Sequence, residues 1–251
     1  RDVAPSRGLG DVYKRQKYHV ADEYDYRENS IYKTYLACDA VSDEILLRNH
    51  YRCNKKIIDF NNKKYYNSKL QVQSDSRERQ PLVYVNVDGG PSDMKNTSPA
   101  EVEEIMRYAG ENPDKSIAVI TPFVNQRILI ERGIKENGFE HVVCGTVHAF
   151  QGDEKDVVLF STALSDRTGK GTYDWLKNNK ELINVATSRA KDKLILLADG
   201  KELERLHQGN EDDDLYELVQ YVKTNGESKI TEKHISCLLY TSDAADDTPC
   251  V

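Results

Sequence analysis

Short apolar runs punctuate a chain that is otherwise polar. Residues 82–87, 116–123, 142–147, 156–161 and 193–198 are each too short for a helix and apolar on both alternating faces. Runs of this kind predict strands buried on both sides. A further short strand is predicted over 44–52. Between the runs the period changes. Ile57, Ile58, Asn61 and Tyr65 recur on one helical side, as do Val102, Ile105, Met106 and Ala109. Ser98, Pro99 and Glu101 spell a helix start, with Ser98 as N-cap and Glu101 completing a capping box. The helix carrying Ile128, Ile130 and Ile134 is expected to stop at Gly138. Residues 173–191 read as mainly helical, and helices around 201–207 and 212–224 close the pattern. Residues 17–43 are polar, rich in tyrosine and without a clean period. Strands alternating with helices predict an α/β fold, a parallel sheet with helices on both faces. Ligands of such sheets are expected at the carboxyl ends of the strands.

Charge narrows the choice of partner. The 251 residues carry 35 basic and 42 acidic side chains, a net charge of −7. That argues against general, charge-driven nucleic-acid binding, but leaves room for a narrow strand-binding track. Cys38, Cys53 and Cys144 are scattered, with Cys237 and Cys250 near the end. Without C-x-x-C spacing they suggest a reducing cytoplasm and no metal site. No apolar run reaches membrane-spanning length, so no membrane partner is expected.

The two ends read as foreign. Residues 6–16 match a translated transposase sequencing adaptor, and residues 237–246 match the opposite adaptor. The division expected is therefore 1–16 and 237–251 as adaptor-derived tails, 17–43 as a connection from a preceding domain, 44–224 as the α/β domain and 225–236 as a flank.

The chemistry concentrates in two stretches: Cys144-Gly-Thr-Val-His-Ala-Phe-Gln-Gly-Asp-Glu154, and then Ile183-Asn-Val-Ala-Thr-Ser-Arg-Ala-Lys191. His50-Tyr-Arg-Cys53 and Thr121-Pro-Phe-Val-Asn-Gln126 precede them. In this order the motifs resemble the second motor domain of superfamily 1 helicases, in the branch typified by the helicase of nonsense-mediated mRNA decay (the AAA_12-type branch). The resemblance implies a RecA-like, P-loop NTPase-type sheet. It also implies two ligands, ATP and a single strand of DNA or RNA.

Carried over residue by residue, the resemblance sets Arg52 and Arg189 against the γ-phosphate. Planar guanidinium forks there stabilise charge that develops as the phosphoryl group leaves. Tyr51 lies against the adenine ring. Gly152 lets the backbone approach the nucleotide, since a Cβ would block it. Glu154 accepts from a ribose hydroxyl, and Gln151 lies between the two ligand sites. Thr121, Pro122, Phe123 and Gln126, together with Thr146, His148 and Ser188, face the strand. Gripping phosphates without reading base edges carries little sequence preference.

Some signals are missing. No G-x-x-x-x-G-K-[ST] loop occurs; the Gly-Lys at 169–170 has Leu164 where the first glycine would stand. Residues 168–172 thus read as a loop, and the acidic run Glu211-Asp-Asp-Asp214 as a solvated helix start. No Asp-Glu pair follows a strand to hold magnesium. The reading is a C-terminal motor domain of an ATP-dependent helicase, inactive alone. Its first RecA-like domain would supply the phosphate loop and hold the Mg2+ of Mg·ATP. The alternatives are a nucleic-acid-dependent ATPase switch or translocase that does not unwind, a non-catalytic binding module, and a motor fused to a nuclease domain.

Overall fold

The computed structural model describes residues 16–19, 21–25, 30–38, 47–76, 78–88, 92, 94–146, 150, 154–209 and 212–231. The expected tails fall almost wholly outside the described residues. The chain divides into two compact units, Arg1–Leu47 and Arg48–Val251. The described residues of the first include a 3-10 turn at Asp22–Tyr24 and a helix, α1 (Ile31–Cys38). That helix was not expected. It starts where the Ser30 hydroxyl accepts the Lys33 amide, and it buries none of its residues, so no apolar stripe announces it.

The second unit opens with a two-stranded parallel ribbon, β1 (Asn49–His50) with β2 (Gln71–Val72). Its main sheet has β3 (Leu82–Asn86), β4 (Ile117–Ile120), β5 (Val142–Gly145), β6 (Lys155–Ser161), β7 (Ala190–Ala198) and β8 (Glu227–Ile230). The order is β5-β4-β6-β7-β3-β8, and every pairing is parallel. Its helices are α2 (Lys55–Tyr65), α3 (Pro99–Glu111), α4 (Val124–Asn137), α5 (Lys170–Lys177), α6 (Lys180–Ser188), α7 (Gly200–His207) and α8 (Asp214–Asn225).

Side-chain alternation splits the interior into two cores. Leu82, Tyr84, Phe160, Leu194 and Leu196 meet residues of α2, α5, α6, α7 and α8 on one face. Val83, Val85, Val119, Ile195 and Leu197 meet Ile105 and Ala109 of α3 and Ile130 of α4 on the other. The expected α/β sheet with helices on both faces is therefore the fold. Each fully buried aliphatic side chain contributes on the order of 2 kcal/mol.

Several elements differ from expectation. Among the described residues of 44–52, Asn49–His50 is strand, and β2 was not expected; both are two residues long and lack a pattern. Residues 173–191 form two helices that part at Asn178 and Asn179, where the Asn179 side chain accepts the Leu182 amide and restarts the turn. The Gly-Lys stretch is not all loop, since Gly169 is the N-cap of α5. Strand β8 lies in the expected flank. Its exposed edge, Glu-Ser-Lys-Ile, has no apolar alternation to read. Gly226 before it has a steric role: a Cβ there would lie 2.3 Å from the Leu82 carbonyl oxygen. Asp213 and Asp214 are buried, not solvated. Asp213 caps α8 and accepts from the Tyr173 hydroxyl, while Asp214 pairs with Lys64 and accepts from Tyr65. Glu211 lies outside the described residues.

Candidate functional site

Three elements distant in sequence deliver charged side chains to one place. Arg52 sits between β1 and Asn54, the N-cap of α2. Glu154 immediately precedes β6, and Arg189 stands between α6 and β7. Backbone bonds fix the junction: Lys155 N–H donates to Arg189 O at 3.2 Å, and Asn54 N–H to Lys191 O at 2.8 Å. The Arg52 Nε then reaches Glu154 Oε2 at 2.8 Å, and its Nη1 lies 3.5 Å from the Ser188 carbonyl. Cys53 is fully buried between these groups and donates its thiol to the same carbonyl at 3.2 Å. Burial pushes the thiol up to about 12, against the opposing pull of Arg52 and Arg189.

A polar core behind this cluster sets its register. Asn61 of α2 is fully buried and bonds Thr187 Oγ1 and the Asn184 side chain of α6. Asn184 in turn donates to the Tyr66 hydroxyl. The two helices that carry Arg52 and Arg189 at their ends are therefore locked together. The Arg52–Glu154 pair itself remains open to water, its side chains 32% and 54% exposed. Pairs of this kind contribute only ~0–1 kcal/mol and exchange partners easily. Tyr51 projects beside it, 68% exposed. A cluster of two arginines, one exchangeable carboxylate and an exposed ring can take an anionic ligand that carries an aromatic group.

Position corrects one expectation. Glu154 and Arg189 stand at the amino ends of β6 and β7, not at carboxyl ends. The reading by sequence attached each motif to the strand before it, whereas the backbone ties both residues to the strand after. Arg189 is the C-cap of α6. Ser188 joins this cluster through its carbonyl, and its hydroxyl donates to Val185 O.

The remaining candidates gather at the opposite, carboxyl end. Thr121, Pro122 and Phe123 follow β4, and Thr146 follows β5; Thr121 N–H donates to Gly145 O at 3.2 Å. Thr121 is fully buried, and its hydroxyl has no hydrogen-bond partner. Phe123 is mostly buried and packs into the core. Gln126 does not face outward. It is fully buried, its Oε1 accepting the Ser98 amide at 2.9 Å and its Nε2 donating to Ser98 O and Ser161 Oγ. With both ends of the amide committed internally, Gln126 has no group left for a phosphate. His148, Gln151 and Gly152 lie outside the described residues.

Gln126 also displaces an expected bond. It takes the Ser98 amide that the capping box assigned to Glu101. Ser98 still accepts the Glu101 amide, but the Glu101 carboxyl turns inward to Ser161 Oγ at 2.6 Å and the Ala163 amide at 3.1 Å. Ala163 holds a left-handed φ of 52° there. Burial raises the Glu101 carboxyl to about 8, against hydrogen bonds from Ser161, Ala163 and Thr162. Two further residues matter here. Asn61 is placed by its period on the inner side of its helix, but nothing local announces its bonds to Asn184 and Thr187. Trp175 of α5, packed on Phe123, carried the one available signal, a solitary tryptophan in a short helix.

Comparison with known proteins gives consistent matches. The profile described as AAA domain (AAA_12) matches residues 27–201. An uncharacterized ATP-dependent helicase of Methanocaldococcus jannaschii is 28% identical over 216 residues, taking in 75% of this chain and 31% of that protein. The regulator of nonsense transcripts 1 homolog of Drosophila melanogaster is 33% identical over 124 residues, 45% of this chain and 10% of that protein. Among solved structures, the C-terminal domain of a possible DNA helicase from Lactobacillus plantarum covers 72% of this chain and 99% of that one. Its identity is 17% and its TM-score 0.42. This chain spans less than a third of either curated relative.

Proposed function

The chain belongs to the AAA domain family, and on that premise we propose that it works as the C-terminal motor domain of an ATP-dependent helicase. The observation that carries this reading is the meeting of Arg52, Glu154 and the Ser188–Arg189 backbone from three separate elements: Arg52 bonds Glu154 and lies against the Ser188 carbonyl, while Arg189 O accepts the Lys155 amide. In this reading Arg52 and Arg189 hold the triphosphate of ATP. Tyr51 offers its exposed face to the base, and Glu154 accepts from the ribose once Arg52 exchanges it for phosphate. When bound, ATP supplies a phosphoryl group whose transfer to water releases free energy. Guanidinium groups already in place stabilise the charge that builds up in that transfer.

Mg2+ belongs elsewhere in this reading, on a first motor domain. In this reading the single strand lies at the carboxyl end of the sheet, along Thr121, Pro122, Phe123 and Thr146. Domain closure driven at the arginine cluster then changes the grip on the strand, which is how a motor steps.

The test uses this chain alone. It is expected to bind a short single strand and to show no ATP turnover, because no phosphate loop is present. Measurable turnover by the purified chain would overturn the assignment of its arginines as a clamp that acts on a neighbouring domain.

A further inference from the structure

Trp175 is the sole tryptophan of the chain and stands half exposed to solvent. Helix α5 buries Tyr173, Leu176 and Lys177 and turns the indole away from them. One part of the ring is anchored on Phe123, with centroids 6.1 Å apart and planes 45° apart. Phe123 is itself 8% exposed and is the N-cap residue of α4, three residues after the end of β4. The indole is therefore fixed by the core from one side and wet on the other. A tryptophan can bury 150–250 Å2, so leaving half of it exposed forgoes a large stabilisation.

The surroundings suit a polyanion. The first turn of α4 has no acidic residue, and Phe123 gives its amides no side-chain cap. Lys95 is exposed beside this turn, its carbonyl held by Asn125 Nδ2 at 3.1 Å. The one acid next to the indole in sequence, Asp174, is paired with Lys177 at 2.9 Å. Beneath the turn, the buried Thr121 hydroxyl still lacks a partner.

We propose that Trp175 is a stacking platform for one unpaired base of a single strand lying at the carboxyl end of β4. The proposal rests on the strand-binding reading above and adds a residue to it. Stacking on an aromatic ring tolerates any base, in keeping with a grip that follows the backbone.

Because the chain has no other tryptophan, its emission reports on this ring alone. Unlabelled ten-nucleotide dT and U strands are titrated into the full 251-residue chain while Trp emission is read. A labelled strand followed by anisotropy gives binding independently. Emission should be quenched in step with anisotropy. Trp175→Ala should weaken binding about 5- to 100-fold, and Trp175→Phe should restore most of it. Unchanged melting of both variants checks that they fold. Strand binding with unaltered emission, or undiminished binding by Trp175→Ala, would overturn the platform and leave strand binding standing. Absence of any binding would instead remove the strand surface, and the platform with it.

Discussion

Asn61 and Thr187 meet inside the protein, Asn61 Nδ2 lying 2.7 Å from Thr187 Oγ1, across 126 residues of chain. The contact joins the helix that follows Arg52 to the helix that ends at Arg189. Asn61→Leu keeps the volume but strands the Asn184 and Thr187 groups in the interior. It should lower stability by about 1–3 kcal/mol. Denaturant unfolding would show this as a reduced midpoint with an unchanged slope; an unaltered midpoint would mean that the network does not hold the helices.

Glu101 makes stability depend on pH. Its folded carboxyl titrates near 8, above an ordinary value of 4.5, so the folded state keeps a proton that the unfolded chain releases. That contribution is full below 4.5 and is lost as pH rises through about 8. Melting temperature should therefore fall across this window, and Glu101→Gln should flatten the decline. An equal slope in the variant would show that another group carries the effect.

Gly226 tests the edge of the sheet. With the Leu82 carbonyl 2.3 Å from where a Cβ would stand, Gly226→Ala must push β8 away from β3. A loss of about 1–3 kcal/mol is expected, with faster amide exchange along Val83–Val85. Unchanged exchange would mean that the strand moves at no cost.

The main architecture was legible because the strands are buried on both faces. Runs such as Leu194–Leu197 have no solvent side, and their apolar continuity says so in one dimension. The Gly138 stop was equally local; the residue sits at φ 67° and donates its amide to Ile134 and Lys135 carbonyls. What escaped depends on partners far along the chain. Glu101 and Gln126 look like a cap and a surface amide until Ser161 comes between them. Strand β8 has no apolar pattern, because its stability comes from pairing and from the space left by Gly226. At the site, Arg52 and Arg189 could be chosen by motif, but not their place at the amino end of the sheet. That follows from the Lys155–Arg189 backbone bond, which no spacing encodes.

The most direct measurement of the proposed clamp is strand-stimulated ATP turnover by this domain joined to a phosphate-loop motor domain, comparing Arg189→Ala and Arg52→Ala with the parent. The clamp reading expects Arg189→Ala to cut turnover by about 10³-fold, with strand affinity little changed and Arg52→Ala also impaired. Turnover within a few fold of the parent in both variants would contradict it.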